Sequence, residues 1–151
     1  MQVNIEKLDN ERLPLSKRII RAAILYLLKF LKLKKGQLNI YFIDKRRIRL
    51  LNRRYLKKDK PTDVLSFNLN EKKGNILAEI FICLALAKRN AVLYKNSFAH
   101  EVMLYIIHAI LHILGFDDRS KKERRLMLNK QESLLSLVSS YIYSRYKIRI
   151  N

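Results

Sequence analysis

The stretch HAILHILGFDD, residues 108–118, places two histidines four residues apart in an apolar segment that ends in a glycine and two aspartates. Residues four apart lie on one face of an α-helix, so His108 and His112 can share one ion. Gly115 permits the sharp turn that would bring an aspartate back toward them. Two imidazoles and a carboxylate suit an ion such as Zn²⁺, and three protein ligands leave a position for water, as in catalytic zinc sites. The pattern therefore predicts a metal-dependent hydrolase.

The two aspartates leave the ligand set open, because either Asp117 or Asp118 could complete it. The competing interpretation is that both histidines are core residues and that the aspartates cap the next helix at Ser120. A histidine pair followed closely by Gly and Asp favours metal over that interpretation. His100 lies two turns before His108, so we expect it on the surface or in the cleft but outside the coordination sphere.

Hydrophobic periodicity along residues 1–151 predicts one α+β domain, with a small mixed sheet of about four strands packed against about five helices. Asp44 is the expected cap of the second helix, Ser97 that of the fourth, and EKKG at 71–74 is a predicted turn. The predicted strands are 3–8, 37–44, 64–70 and 75–83, and helices are expected at about 15–33, after Asp44, and at about 84–95, 97–114 and 120–146. The expected buried face of the last helix comprises Leu126, Leu134, Leu137, Val138 and Tyr141.

The charge of the chain points to a polyanionic partner. Among 151 residues, 32 Lys and Arg oppose 13 Asp and Glu, which gives a formal net charge of +19. Such an excess favours RNA, DNA or an acidic membrane surface as the partner. A lysine-rich composition or a high-temperature host is the alternative, but the latter predicts abundant Glu as well. Nucleic acid is therefore the favoured partner.

Cysteine usage and hydropathy bear on the compartment. Cys83 is the only cysteine, which excludes an intrachain disulfide and fits a reducing cytoplasm. The N-terminal segment carries acidic residues and lacks an apolar core, so we do not expect it to act as a signal peptide. The apolar runs, such as AAILYLL at 22–28, are shorter than the roughly 20 residues that a membrane span needs. A cytoplasmic protein without a membrane partner is the expectation.

Several motifs resemble those of the YbeY family of bacterial rRNA-maturation endoribonucleases. The segment LNRRYLKKDKPTDVLSF at 51–67 resembles the family pattern LNxxYRxKDxPTDVLSF. LAEIFIC at 77–83 is similar to the family strand LGDIxIS, and residues 108–118 resemble HGxLHLLGYDH. Downstream, Glu123, Met127, Gln131 and Glu132 resemble the family helix pattern ExxxMxxxQE. The order and spacing of these motifs agree with the family patterns over more than half of the chain.

This resemblance implies a metal-dependent endoribonuclease that cleaves single-stranded RNA in 16S rRNA maturation and ribosome quality control. The third metal histidine of the family falls on Asp118, which makes His108, His112 and Asp118 the expected ligands of one Zn²⁺. An aspartate shifts the preference toward harder ions, so Mn²⁺ or another divalent metal is an alternative. Asp117 is the expected catalytic accessory, orienting a histidine from the second shell of the site. The arginine that the family carries after its tyrosine falls on Leu56.

The expected RNA contacts lie in and after the second helix, where cationic side chains would meet backbone phosphates. The implied partners are rRNA precursors, the ribosome and proteins of its small subunit. Leu56 and Asp118 motivate an alternative, a catalytically impaired ribosome-binding protein with a structural metal. A hydrolase of another phosphoester or of peptide is the remaining class, and Ala109 argues against peptide because HExxH proteases carry Glu there. The predicted RNA-binding residues are Arg53, Arg54, Lys57, Lys58 and Lys60.

Overall fold

Four strands and five helices are formed by the described residues, 1–70 and 75–151, of the computed structural model. The predicted α+β class is confirmed, while the turn predicted at 71–74 lies outside the described residues. Within those described ranges, no helix has both the length and the hydropathy that crossing a bilayer requires. The elements are β1 (Gln2–Lys7), α1 (Lys17–Phe30), β2 (Gly36–Ile43), α2 (Lys45–Leu56), β3 (Val64–Asn68), β4 (Ile76–Cys83), α3 (Leu84–Leu93), α4 (Phe98–Ile113) and α5 (Lys121–Tyr146).

The sheet is mixed, with strand order β1-β2-β4-β3. β1, β2 and β4 run parallel, and β3 pairs antiparallel with β4 at the edge. Parallel neighbours need a crossover connection, which α1 supplies between β1 and β2 and α2 supplies on the way from β2 to β4. The edge strand β3 therefore follows α2 directly and lies beside α4, the helix that carries the two histidines.

The main core lies on one face of the sheet, beneath α1, α4 and α5. The strands alternate as a half-buried strand should, with Leu38, Ile40 and Phe42 of β2 fully buried on that face. Most of α4 is enclosed between the sheet, α3 and α5, which holds its histidine-bearing end in a fixed position. The buried residues of α4 are Glu101, Val102, Met103, Tyr105, Ile106, Ile107, Ala109, Ile110 and Leu111.

The residues that cap the N-termini of the helices agree closely with those predicted from the sequence. Asp44 caps α2 and Ser97 caps α4, each by accepting a hydrogen bond from the backbone N–H three residues on, as predicted. Ser120 caps α5 in a capping box with Glu123. The predicted face of α5 is wrong at Leu126, which is 55% exposed, whereas the following residue Met127 is buried. The buried stripe of α5 is thus rotated by one residue at its start.

A buried carboxylate in the turn after β1 destabilises the folded state at high pH. Replacing it is therefore predicted to raise the free energy of unfolding in a pH-dependent way. The Asp9 side chain is 3% exposed, and its nearest charge is Lys7 Nζ at 3.7 Å. Neither of its oxygens has a hydrogen-bond donor in bonding geometry among the described residues. Burial raises the pKa of Asp9, partly offset by the charge of Lys7 and by the backbone N–H of Glu11. A raised carboxyl pKa means that the folded state disfavours the charged form, so this penalty is largest above that pKa and disappears as the pH falls through it.

We therefore expect Asp9→Asn to raise the unfolding free energy by about 1–2 kcal/mol near pH 8, because it removes an unsatisfied buried charge. The difference from wild type should shrink as the pH falls through the raised pKa of Asp9. Urea unfolding across pH measures this. Asp59→Asn is the control, because Asp59 lies on the surface 2.9 Å from Arg49 Nε, which lowers its pKa. A gain of equal size in both variants would contradict the interpretation.

Candidate metal centre

Two imidazoles converge at the C-terminal end of α4. His108 and His112 lie on one helix face, and their Nε2 atoms are 3.0 Å apart. α4 ends at Ile113, and Gly115 follows with φ 90°, in the left-handed region that glycine adopts without strain. The Phe116 N–H then donates to the Leu111 carbonyl, which turns the chain back along the helix. The predicted turn at Gly115 thus directs the following residues toward the histidines.

Hydrogen bonds at the opposite ring nitrogens fix which nitrogen of each imidazole carries its proton. His108 Nδ1 lies 2.8 Å from the amide oxygen of Gln131, and His112 Nδ1 lies 3.1 Å from the Phe116 carbonyl. Both partners are acceptors, so each neutral ring carries its proton on Nδ1 and donates it there. In this tautomer the lone pairs of the two Nε2 atoms face each other, and a metal ion bound by both nitrogens would relieve their repulsion.

Asp118 supplies the third group. Its Oδ2 lies 3.9 Å from His112 Nε2, and the ligand atoms of His108, His112 and Asp118 all lie within 4.8 Å of one another. Two ligands on bonds of about 2.0–2.1 Å to a tetrahedral ion are about 3.3 Å apart, so the set needs only a small adjustment to bind one. All three side chains are partly exposed, which leaves a side of the site open to solvent. The residues therefore fit a three-ligand divalent-metal site.

Asp117 has a different place from the one expected. Its Oδ1 accepts a hydrogen bond of 2.8 Å from the Asp118 N–H, and its Oδ2 pairs with Arg119. The Arg119 guanidinium, together with the Asp118 amide, holds the pKa of Asp117 below its usual range. The expectation that Asp117 orients a histidine is corrected, because the Gln131 amide and the Phe116 carbonyl occupy both Nδ1 positions. Asp117 instead holds the loop that presents Asp118.

A cleft of about 130 Å³ adjoins His108 and was not expected from the sequence. Asp63, immediately before β3, and Tyr105, one turn before His108, are part of its lining, and the Tyr105 hydroxyl accepts a hydrogen bond of 2.7 Å from the Asn90 amide. Burial raises the pKa of Tyr105, so its hydroxyl stays protonated. The only sequence signal for this pairing is the PTD motif that precedes β3. The lining comprises Asp63, Val64, Leu104, Tyr105, His108 and Gln131.

His100 and the predicted RNA-binding residues lie around this centre rather than in it. His100 is half-buried in the first turn of α4 and is outside the group of possible metal ligands. All five predicted RNA-binding side chains are exposed, at the end of α2 and in the loop that follows. That loop is held by the Asn52 amide, which donates to the Lys60 carbonyl at 2.8 Å. We call Arg53, Arg54, Lys57, Lys58 and Lys60 the cationic strip.

The cationic strip leads to the cleft along the chain. Lys60 precedes Asp63 by three residues, and Asp63 lines the cleft beside His108. Leu56 is 49% exposed within this segment, where the resemblance had suggested an arginine. The structure therefore brings the three expected ligands together, and two residues of chain separate the cationic strip from Asp63 of the cleft.

Comparison with known proteins identifies close relatives of the whole chain. The family model described as "Endoribonuclease YbeY" matches residues 3–139. A Geobacillus protein (strain WCH70) named Endoribonuclease YbeY is 35% identical over 149 residues, which cover 89% of this chain and 96% of the relative. A protein of the same name from Persephonella marina is 34% identical over 132 residues, covering 84% and 86%. The solution structure of TM1509 from Thermotoga maritima superposes with TM-score 0.68 at 25% identity, covering 95% of this chain and 93% of that one.

Proposed function

The chain belongs to the YbeY family of endoribonucleases, and from that premise we propose that it cleaves single-stranded RNA with one divalent metal ion held by His108, His112 and Asp118. When bound, such an ion polarises a phosphoryl oxygen and lowers the pKa of a coordinated water. The observation that carries the proposal is the convergence of three ligand groups, with the two Nε2 atoms 3.0 Å apart and the ligand atoms of all three side chains within 4.8 Å of one another.

The protein's own residues prepare this site for an anionic substrate. Gln131 and the Phe116 carbonyl keep each Nδ1 protonated, so both Nε2 lone pairs are available. The net charge of +19 draws a polyanion toward the surface, and the cationic strip contacts phosphates beside the cleft. Asp63 and Tyr105 line the cleft that the RNA would enter beside His108. A single strand fits this arrangement because its backbone can bend into a small cleft at the sheet edge.

We further propose zinc as the resident ion and precursor rRNA as the substrate. Two imidazoles favour zinc, while the carboxylate of Asp118 keeps Mn²⁺ as a competing ion. The family resemblance and the charge support a ribosomal substrate, with small-subunit ribosomal proteins as neighbours. The mixed donor set makes the identity of the ion the first point to measure.

The test uses protein stripped of metal with chelator and then reloaded with Zn²⁺ or Mn²⁺. We expect the stripped protein to leave a labelled single-stranded RNA intact, and one of the reloaded forms to cut it while sparing the matching duplex. Binding to the same RNA should weaken steeply as salt rises, since phosphate contacts release counterions. RNA that is bound but never cut with either ion would contradict the proposal and favour the ribosome-binding alternative.

A further inference from the structure

One half of the outer sheet face carries aromatic rings that the helices of the described residues cover only in part. On this face α2 covers one end, where Ile48 packs with Ile43, Leu65 and Cys83, and the rings pack against the side of that cluster. Sheets with parallel strands are normally covered on both faces, so a half that is only partly covered is unusual. Its side chains alternate with those of the main core along β1, β2 and β4. Gln2, Glu6 and Leu77 on this half are exposed, and the others are half-buried.

Three rings lie side by side on neighbouring strands. Tyr41 of β2 stacks on Phe81 of β4 with centroids 5.0 Å apart and planes 17° apart. Phe67 of β3 meets Phe81 edge-on at 5.9 Å. Tyr55 of α2 extends the row, because its ring lies 5.0 Å from Phe67 and is 53% exposed. The half-buried rings of Tyr41, Phe67 and Phe81 are called the aromatic row.

Amide side chains lie beside the aromatic row. The Asn4 and Gln37 amides both donate to Asn39 Oδ1 at 2.9 Å. Glu79 lies between Asn39 and Phe67, in register with both. The face thus offers ring surfaces, amide groups and two carboxylates, Glu79 in its middle and the exposed Glu6 beside Tyr41. This is the chemistry that pairs with nucleobases, which stack on rings and hydrogen-bond to amides and carboxylates along their edges.

We propose that this face is a second contact for the single-stranded RNA substrate, with bases packed against the exposed parts of the aromatic row and against the Tyr55 ring. The proposal deepens the proposed function and rests on it. Continuity supports it, because Tyr55 is adjacent to Arg53 and Arg54 of the cationic strip, and the Arg54 guanidinium lies 5.5 Å from the Tyr55 ring centre. Phosphates follow the strip toward the cleft, while bases meet the rings. A neutral protein partner would gain nothing from the net charge of +19.

Glu79 gives the face a base preference. A carboxylate accepts hydrogen bonds from the exocyclic amino group of cytosine, whereas uracil presents a carbonyl oxygen at the same ring position. We therefore expect oligo(C) to bind more tightly than oligo(U) of equal length, by several-fold. Glu79→Gln should reduce that difference, because an amide can serve either base.

The test is fluorescence anisotropy with a labelled 12-nucleotide oligo(C), in chelator so that no RNA is cut. We expect Tyr41→Leu and Phe67→Leu each to weaken binding about tenfold, since they retain apolar bulk and lose a stacking surface. Phe30→Leu is the control, because Phe30 is 54% exposed at the end of α1, away from the sheet face. Thermal unfolding of each variant confirms that it is folded.

A second measurement uses the wild-type protein and does not depend on the folding of any variant. Oligo(C) carrying photoreactive 5-iodocytosine should crosslink to Tyr41, Phe67 or Phe81, as read by mass spectrometry of the peptides. Unchanged affinity in folded variants, with crosslinks confined to the cationic strip, would overturn the proposal and would leave the face to a protein partner. Because both measurements read binding without metal, they give a result even if no ion supports cleavage.

Discussion

His112→Ala is expected to reduce the bound metal from about one ion per chain to nearly none. RNA cleavage should fall by about a thousandfold or more, since a catalytic ion supplies several kcal/mol of transition-state stabilisation. The side chain of His112 is 31% exposed at the end of α4, so its removal leaves the core intact and should change the melting temperature of the metal-free protein little. The loss would therefore be chemical rather than structural.

Metal analysis of protein purified without added metal measures the first effect, and cleavage of a labelled single strand measures the second. His100→Ala is the matched control, since it removes a histidine from the same helix but outside the group of ligands. It should retain both metal and activity. Equal metal content in the wild type and in His112→Ala would show that the ion binds elsewhere, and the convergence of the two Nε2 atoms would then need another cause.

The parts of this molecule that could be predicted from sequence are those set by local geometry. His108, His112 and Asp118 lie within eleven residues, and a helix repeat followed by a glycine turn brings them together without any distant contact. The caps at Asp44 and Ser97 are equally local, because each involves a residue only three positions away. Hydrophobic periodicity along the chain likewise predicted the number of strands and helices.

The parts that could not be predicted depend on how distant elements pack. Gln131 was visible as part of a motif, yet its role follows from the docking of α5 against α4, 23 residues away from His108. Leu126 illustrates the same limit, because α5 offers apolar residues on overlapping stripes and only packing selects Met127 instead. Asp63 immediately precedes a strand and Tyr105 lies on a helix, and the two meet only in the folded chain.

The outer sheet face shows a further limit. Alternation along β2 predicts two faces, one apolar and one mixed, but it does not say which half of the mixed face a helix will cover. α2 covers the end near Ile43 because the chain crosses there on its way to β3. The aromatic row is left only partly covered, which follows from the topology rather than from any signal in its own sequence.

Gln131 allows the tautomer argument to be tested in two directions. It is 7% exposed, and its amide oxygen accepts from His108 Nδ1 at 2.8 Å. Gln131→Leu removes the acceptor, so the proton of His108 is no longer held on Nδ1 and a fraction of the rings will carry it on Nε2. Loss of such an orienting partner typically lowers metal affinity about 10–100-fold. We expect a loss of that size in a competition titration with a zinc chelator.

Gln131→Glu is the opposing variant, because a carboxylate accepts the same proton more strongly and raises the basicity of the ring. It should retain metal affinity or increase it, while Gln131→Leu loses it. Nitrogen-15 NMR of the metal-free histidines supplies an independent reading, with His108 protonated on Nδ1 in the wild type and mixed in Gln131→Leu. A purely structural role for Gln131 predicts instead that both variants lose affinity in proportion to their loss of unfolding free energy, with no change in tautomer. The sign of the Gln131→Glu effect therefore separates positioning of the ligand from packing of α5.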